Sequence, residues 1–146
     1  MDSFDSRLAS ELQRLRDETG SDLVAFAVPV SQLSQWRWVR VIGAESERIL
    51  RLAVQTGRGI AGAALRTGRT IVLDRHKNAN DLRKEDASLL LAERLSSVAA
   101  APVIYDGNAV GLILIGSRSE KDYDNAAVQL LGDTSSRLAA VGTINR

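Results

Sequence analysis

Two apolar runs, "SSVAAAPV" and "AVGLILIGS", are separated only by "IYDGN", and this segment constrains the fold more than any other. Asp106-Gly107-Asn108 supplies the positive φ angles that a tight hairpin turn demands. The two runs must therefore lie side by side as antiparallel strands. A fold that crosses over between parallel strands at this point is excluded.

The remaining elements arrange themselves around that hairpin. Leu8, Leu12 and Leu15 form one stripe in "RLASELQRLRDETG", a first helix stopped at Gly20. "DLVAFAVPV" reads as a strand that feeds through "SQLSQ" into "WRWVRVIG", a second hairpin. Period-2 alternation there puts Trp36 and Trp38 on one face and Arg37, Val39 and Val41 on the other. Residues 45–56 place Ile49, Leu52, Ala53 and Thr56 at the spacing of an amphipathic helix. A short helix begins near Gly59, "RTIVLD" is a brief strand, and residues 75–86 form a polar, charged connection. The final helix takes Asp122 as its N-cap and carries Tyr123, Ala127, Leu130, Leu131, Thr134, Leu138 and Val141 along one face, with Gly142 as its stop. This order implies an α+β fold: an antiparallel five- or six-stranded sheet with the terminal helices on one face. The central excursion crosses the other face, and a ligand pocket is expected under its helices.

Composition narrows the function. At 146 residues, 45% hydrophobic and 25% charged, the chain reads as one domain, residues 1–146. The absence of cysteine excludes thiolate metal sites and thiol nucleophiles. A net charge of +1 without a basic patch argues against nucleic acid and anionic membrane as partners. No stretch approaches the roughly 20 apolar residues of a membrane span. An acidic, amphipathic N-terminus points to the cytoplasm. Gly57, Gly59 and Gly62 have the spacing of a dinucleotide-binding fingerprint, but a helix approaches them where that fingerprint needs a strand. His76, the only histidine, stands in a charged loop and reads as solvated, and no metal site is expected. No Ser-His-acid set or paired carboxylates stand out, so the chain is not expected to be an enzyme.

"TGRGIAGAALRTGRTIVLD", the hairpin "SSVAAAPVIYDGNAVGLILIGS" and the closing "YDNAAVQLLGDTSSRLAAV" together resemble a GAF domain over nearly the whole chain. Within that family the chain is most similar to the stand-alone NreA-type nitrate receptors, through Trp38, "GRGIAG" and "AERLSSVAAAP". It departs from them at Ala87 and Ser88, where such receptors carry an aromatic and a proline. The resemblance implies nitrate as ligand, no cofactor, and an oxygen-sensing histidine kinase of a two-component system as partner. The residues support an anion site by themselves. A helix start exposes N–H groups with no intrahelical acceptor, and the helix dipole favours negative charge there. With Gly59 as cap, the amides of Ile60 and Ala61 are expected to face the ion. A second start, capped by Asp86 or Ser88, is expected to offer the Leu89 amide. Trp38, Val54, Ile60, Leu89 and Val103 would form the apolar surround. Two other readings remain open. In one, Ala126, Ala127, Ala139 and Ala140 let the terminal helices build a homodimer in a non-sensing interaction module. In the other, a GAF pocket takes a different small ligand such as a cyclic nucleotide. The cysteine-dependent reduction of free methionine sulfoxide and cysteine-linked bilin attachment known in GAF domains lack their cysteines here.

Overall fold

A computed structural model of the chain describes residues 3–30, 35–55, 59–74, 84–120 and 123–144. In chain order the elements are α1 (Ser3–Thr19), β1 (Leu23–Pro29), β2 (Gln35–Ile42), a 3-10 helix (Arg48–Arg51), β3 (Ala53–Gln55), α2 (Gly59–Thr67), β4 (Ile71–Asp74), α3 (Lys84–Glu93), β5 (Ser97–Tyr105), β6 (Asn108–Ser117) and α4 (Asn125–Ile144). Asp106 and Gly107 take φ angles of 54° and 79°, the double positive φ of a two-residue hairpin turn, and they close the pair Tyr105–Asn108. From there β5 and β6 stay paired back to Ser97–Ser117. The sheet has six strands in the order β3-β2-β1-β6-β5-β4, with every pairing antiparallel.

Both faces of the sheet are covered, which explains why β1, β5 and β6 read as nearly continuous apolar runs. On one face, Leu8, Leu12 and Leu15 of α1 and Tyr123, Leu131 and Leu138 of α4 pack against Val24, Phe26, Ala99, Ala101, Val103, Ile113 and Ile115. On the other, α2, α3 and the 3-10 helix bury Ile60, Ala61, Ala64, Leu89, Leu90 and Ile49 against Ala25, Ala27, Trp36, Trp38, Val98, Ala100, Leu112 and Leu114. The expected layering of terminal helices against central excursion holds.

Helix ends follow local chemistry. Gly20, at φ 67°, turns the chain out of α1, and the Ser21 N–H reaches back to the Arg16 carbonyl at 3.1 Å, closing the end of the helix. At the start of α4 the cap is Asp124, whose Oδ1 accepts the Ala127 N–H at 3.0 Å; Asp122, the expected cap, lies outside the described residues. The helix also continues beyond Gly142 to Ile144. Among the alanines proposed for a dimer seam, Ala127 is buried against the protein's own core, whereas Ala126 and Ala140 are exposed.

Two expectations about the middle of the chain are corrected. Residues 45–56 do not form one amphipathic helix. Arg48–Arg51 is a single 3-10 turn that buries Ile49, and Ala53–Gln55 is an edge strand paired to β2 through Trp36–Val54. Pairing Ala53–Gln55 with a strand already present satisfies backbone groups there, and that tertiary gain overrides a weak 3.6 periodicity. In β2, a bulge skips Val39: Ala27 pairs with Trp38, but Phe26 pairs with Arg40. The bulge inverts the alternation. Val41 therefore packs on the same side as the tryptophans, while Val39 is 40% exposed.

Candidate functional site

The face covered by α2 and α3 gathers most of the residues expected to meet a ligand. Its floor is the end of the sheet where Trp36 stands directly across from Val54, with Trp38 beside it across from Ala27. Cross-strand partners present their side chains on one face, so this pairing fixes the two rings and Val54 together. The roof is α2, which packs on β3, β4, β5, β6 and α3, while α3 packs in turn on the 3-10 helix. Trp38, Val54, Ile60, Ala61 and Leu89 belong to one buried cluster.

Val103 does not join them. It lies on the opposite face of the sheet, against Phe26 and beside Gly111, where a Cβ would meet the Val103 Cβ at 3.3 Å and Phe26 Cζ at 2.7 Å. The physical reason is strand parity. Val98 and Ala100 face α2, so Ala99, Ala101 and Val103 face the terminal helices.

Polar groups in this cluster come from the backbone and the indoles. Gly59 opens α2 with φ 67°, a conformation that glycine adopts without steric cost, and Ile60 and Ala61 follow in the first turn. The amides of a first turn are not consumed by the helix's own carbonyls, and the helix dipole makes that end favourable for an anion. Leu89 contributes differently from expectation. Because α3 already runs from Lys84, Leu89 is well past the first turn, where helical geometry directs its N–H to the carbonyl four residues back. Its contribution is the side chain, 8% exposed. Trp38 is 3% exposed and carries an indole N–H, a group that only donates.

The clustered apolar residues carry no charge, so an ion entering here would be held by neutral donors. Charged groups collect at the far end of α3, where Arg94 pairs with Glu45 and Arg118 pairs with Glu93. The Arg94 hydrogen bond, aided by the nearby Arg118 charge, holds the Glu45 carboxyl below its usual range. Nothing in the sequence singled out Glu93 or Arg118; only a glutamate inside the apolar run "LLLAERL" hinted at a buried carboxylate. Among the described residues no group of His, Cys, Asp and Glu could hold a metal ion, and His76 lies outside them. No helix among the described residues is long and apolar enough to cross a membrane.

Comparison with known proteins places this geometry. A GAF domain family model matches residues 3–141. A solved structure of the NreA protein of Staphylococcus aureus, mutated in its nitrate binding site, is 30% identical, with a TM-score of 0.69 over 83% of this chain and 93% of that one. The HTH-type transcriptional activator RamA of Corynebacterium glutamicum is 27% identical over 116 residues, which make up 77% of this chain but only 40% of RamA. The chain thus spans well under half of that relative. The free methionine-R-sulfoxide reductase of Neisseria meningitidis shares the fold, with a TM-score of 0.81 at 19% identity over the whole chain and 81% of the reductase. That likeness corrects the expectation of a non-enzyme, which rested on the lack of a recognisable catalytic residue set, because the same architecture also carries catalysis. The match across residues 3–141 identifies the chain as a member of the GAF domain family.

Proposed function

We propose that the chain is a small-anion sensor whose ligand is nitrate, bound between the first turn of α2 and Trp38. The observation that carries this reading is Trp38, 3% exposed, in the same buried cluster as Ile60 and Ala61 of the first turn of α2. An indole N–H donates and does not accept, and an anion suits both that donor and the helix end. Nitrate is planar and weakly hydrated, so apolar contacts with Val54, Ile60 and Leu89 would exclude water at modest desolvation cost. Likeness to the nitrate-binding NreA protein supports the choice of ion.

Signal output would pass to a partner histidine kinase, whose autophosphorylation the empty form restrains and the nitrate-bound form releases. Such a switch requires different kinase affinities in the two forms. By linkage, the kinase must weaken nitrate binding by the same factor. Inhibition of autophosphorylation should fall when nitrate is added to the receptor–kinase mixture, and equal inhibition with and without nitrate would remove the kinase from the reading.

A melting series over sodium salts at fixed ionic strength tests the ligand. Nitrate at a hundredfold excess over its dissociation constant adds about 2.7 kcal/mol, which moves the midpoint of a domain this size by about 5–10 °C. Chloride and cyclic nucleotides should leave it unchanged. Identical midpoints in nitrate and chloride would refute the proposal.

A further inference from the structure

Glu93 ends α3 with a carboxylate that is 0% exposed. Its Oε1 accepts the Arg118 Nη2 hydrogen at 2.5 Å and the Glu45 backbone N–H at 3.0 Å, while its Oε2 is buried without a partner. Arg118 leaves the end of β6 and binds three segments at once. Its Nε donates to the Glu93 carbonyl at 2.9 Å and its Nη2 to the Gly43 carbonyl at 3.0 Å, its backbone N–H donates to Asp22 Oδ2 at 2.7 Å, and its Nε lies 3.5 Å from Glu45 Oε2. The last turn of α3 is therefore tied to the sheet and to the turn after β2 by one guanidinium. Among the described residues, α3 also meets the body through the side chains of Leu89 and Leu90, which roof the ligand cluster, and through its packing on α2 and the 3-10 helix.

From this arrangement we infer that Glu93 and Arg118 are positioning residues for the ligand site: their buried ion pair clamps α3, and the strength of the clamp sets how often the roof is open. Neither residue belongs to the apolar cluster that would meet the ligand, so they act through Leu89 and Leu90. The inference rests on the nitrate reading for its ligand, but the clamp itself concerns the empty protein. A buried carboxylate with one oxygen already unpartnered is poised: losing Arg118 removes its countercharge and leaves it only the Glu45 backbone N–H, and the helix end must move to rehydrate it. Removing both charges removes that demand. Affinity follows because a site that is competent only part of the time binds more weakly by that fraction.

Amide hydrogen exchange on the full chain, with nitrate affinity measured in parallel, provides the test. In Arg118→Gln the amides of residues 89–95 should exchange at least about tenfold faster than in the parent, while the core amides of β6 change much less. The double variant Glu93→Leu/Arg118→Leu should return α3 exchange most of the way toward the parent rate. Nitrate affinity should fall in Arg118→Gln and recover in the double variant. If exchange accelerates equally in α3 and β6, Arg118 serves global stability alone and the inference is overturned. It is also overturned if the double variant opens α3 as much as the single one. Arg118→Lys keeps a charge and serves as the folded control should Arg118→Gln not accumulate; unchanged α3 exchange in that variant would show that the forked contacts do not hold the helix. A clamp seen by exchange in a protein that ignores nitrate would leave the inference standing for another ligand and refute only the nitrate reading.

Discussion

Three buried hydroxyls have an order that geometry dictates, and breaking them tests it. Thr19 Oγ1 donates to the Leu15 carbonyl at 2.7 Å, so its single proton is spent and it must accept from Ser21 Oγ, 2.7 Å away. Ser21 has then used its own proton. The phenol of Tyr123, 2.8 Å from Ser21 Oγ, is therefore the donor at the head of the relay. Tyr123→Phe removes one bond and leaves only a lone pair on Ser21, a cost of about 1 kcal/mol. Ser21→Ala removes two bonds and strands a phenol that is 7% exposed, at about 2–3 kcal/mol. Burial, with the nearby Asp22 charge adding, pushes the Tyr123 phenol up to about 12. Its folded-state pKa is thus above the unfolded value of about 10, so the stabilisation is present below pH 10 and lost as pH rises through 12, amounting to about 2.7 kcal/mol. Urea denaturation at pH 7 orders the two variants. The same titration repeated up to pH 12 in a Tyr105→Phe background isolates Tyr123, and adding Tyr123→Phe should abolish its share of the alkaline loss. Ser21→Ala costing no more than Tyr123→Phe, or tyrosinate absorbance rising near pH 10, would refute the ordering.

Other changes probe the site and its limits. Trp38→Phe keeps an aromatic ring on the sheet but deletes the indole donor; calorimetric titration should show nitrate binding weakened by about tenfold to more than a hundredfold, the value of a hydrogen bond to a charged group. Val103→Ala should cost about 2 kcal/mol in urea denaturation and leave nitrate affinity unchanged, since Val103 belongs to the core beneath the terminal helices. Gly43→Ala places a Cβ 1.9 Å from the Asp22 carbonyl oxygen at a φ of +85°, so the variant should lose at least about 3 kcal/mol by thermal denaturation.

Much of this fold could be read from the residues because the signals were local. Asp106-Gly107 determined a hairpin by backbone conformation alone, and the leucine stripe of α1 was periodic over several turns and closed by Gly20. The failures share a different cause. The β2 bulge exists only in relation to the register of β1, so nothing in "WRWVRVIG" marks Val39 as the skipped residue. The 3-10 turn and β3 are short elements in series, and Ile49, Leu52 and Ala53 fall at helical spacing across their junction although they do not share one element. Val103 was misplaced because β5 is apolar on both faces, and the identity of each face depends on which helix covers it. Trp38, Val54, Ile60, Ala61 and Leu89 share one buried cluster, although Val54 reaches it on an edge strand rather than on the expected helix. The Glu93–Arg118 clamp joins residues 25 apart in sequence and carries no motif.

The two tryptophans are the only ones in the chain, so an amide-proton spectrum of the nitrogen-15-labelled protein contains two indole signals, assignable with Trp36→Phe and Trp38→Phe. Titrated with sodium nitrate at constant ionic strength, the Trp38 signal should move saturably toward the stronger-hydrogen-bond side and should stay in place in chloride. An indole signal that ignores nitrate, or that drifts linearly and equally in both salts, would contradict an anion held between Trp38 and the first turn of α2.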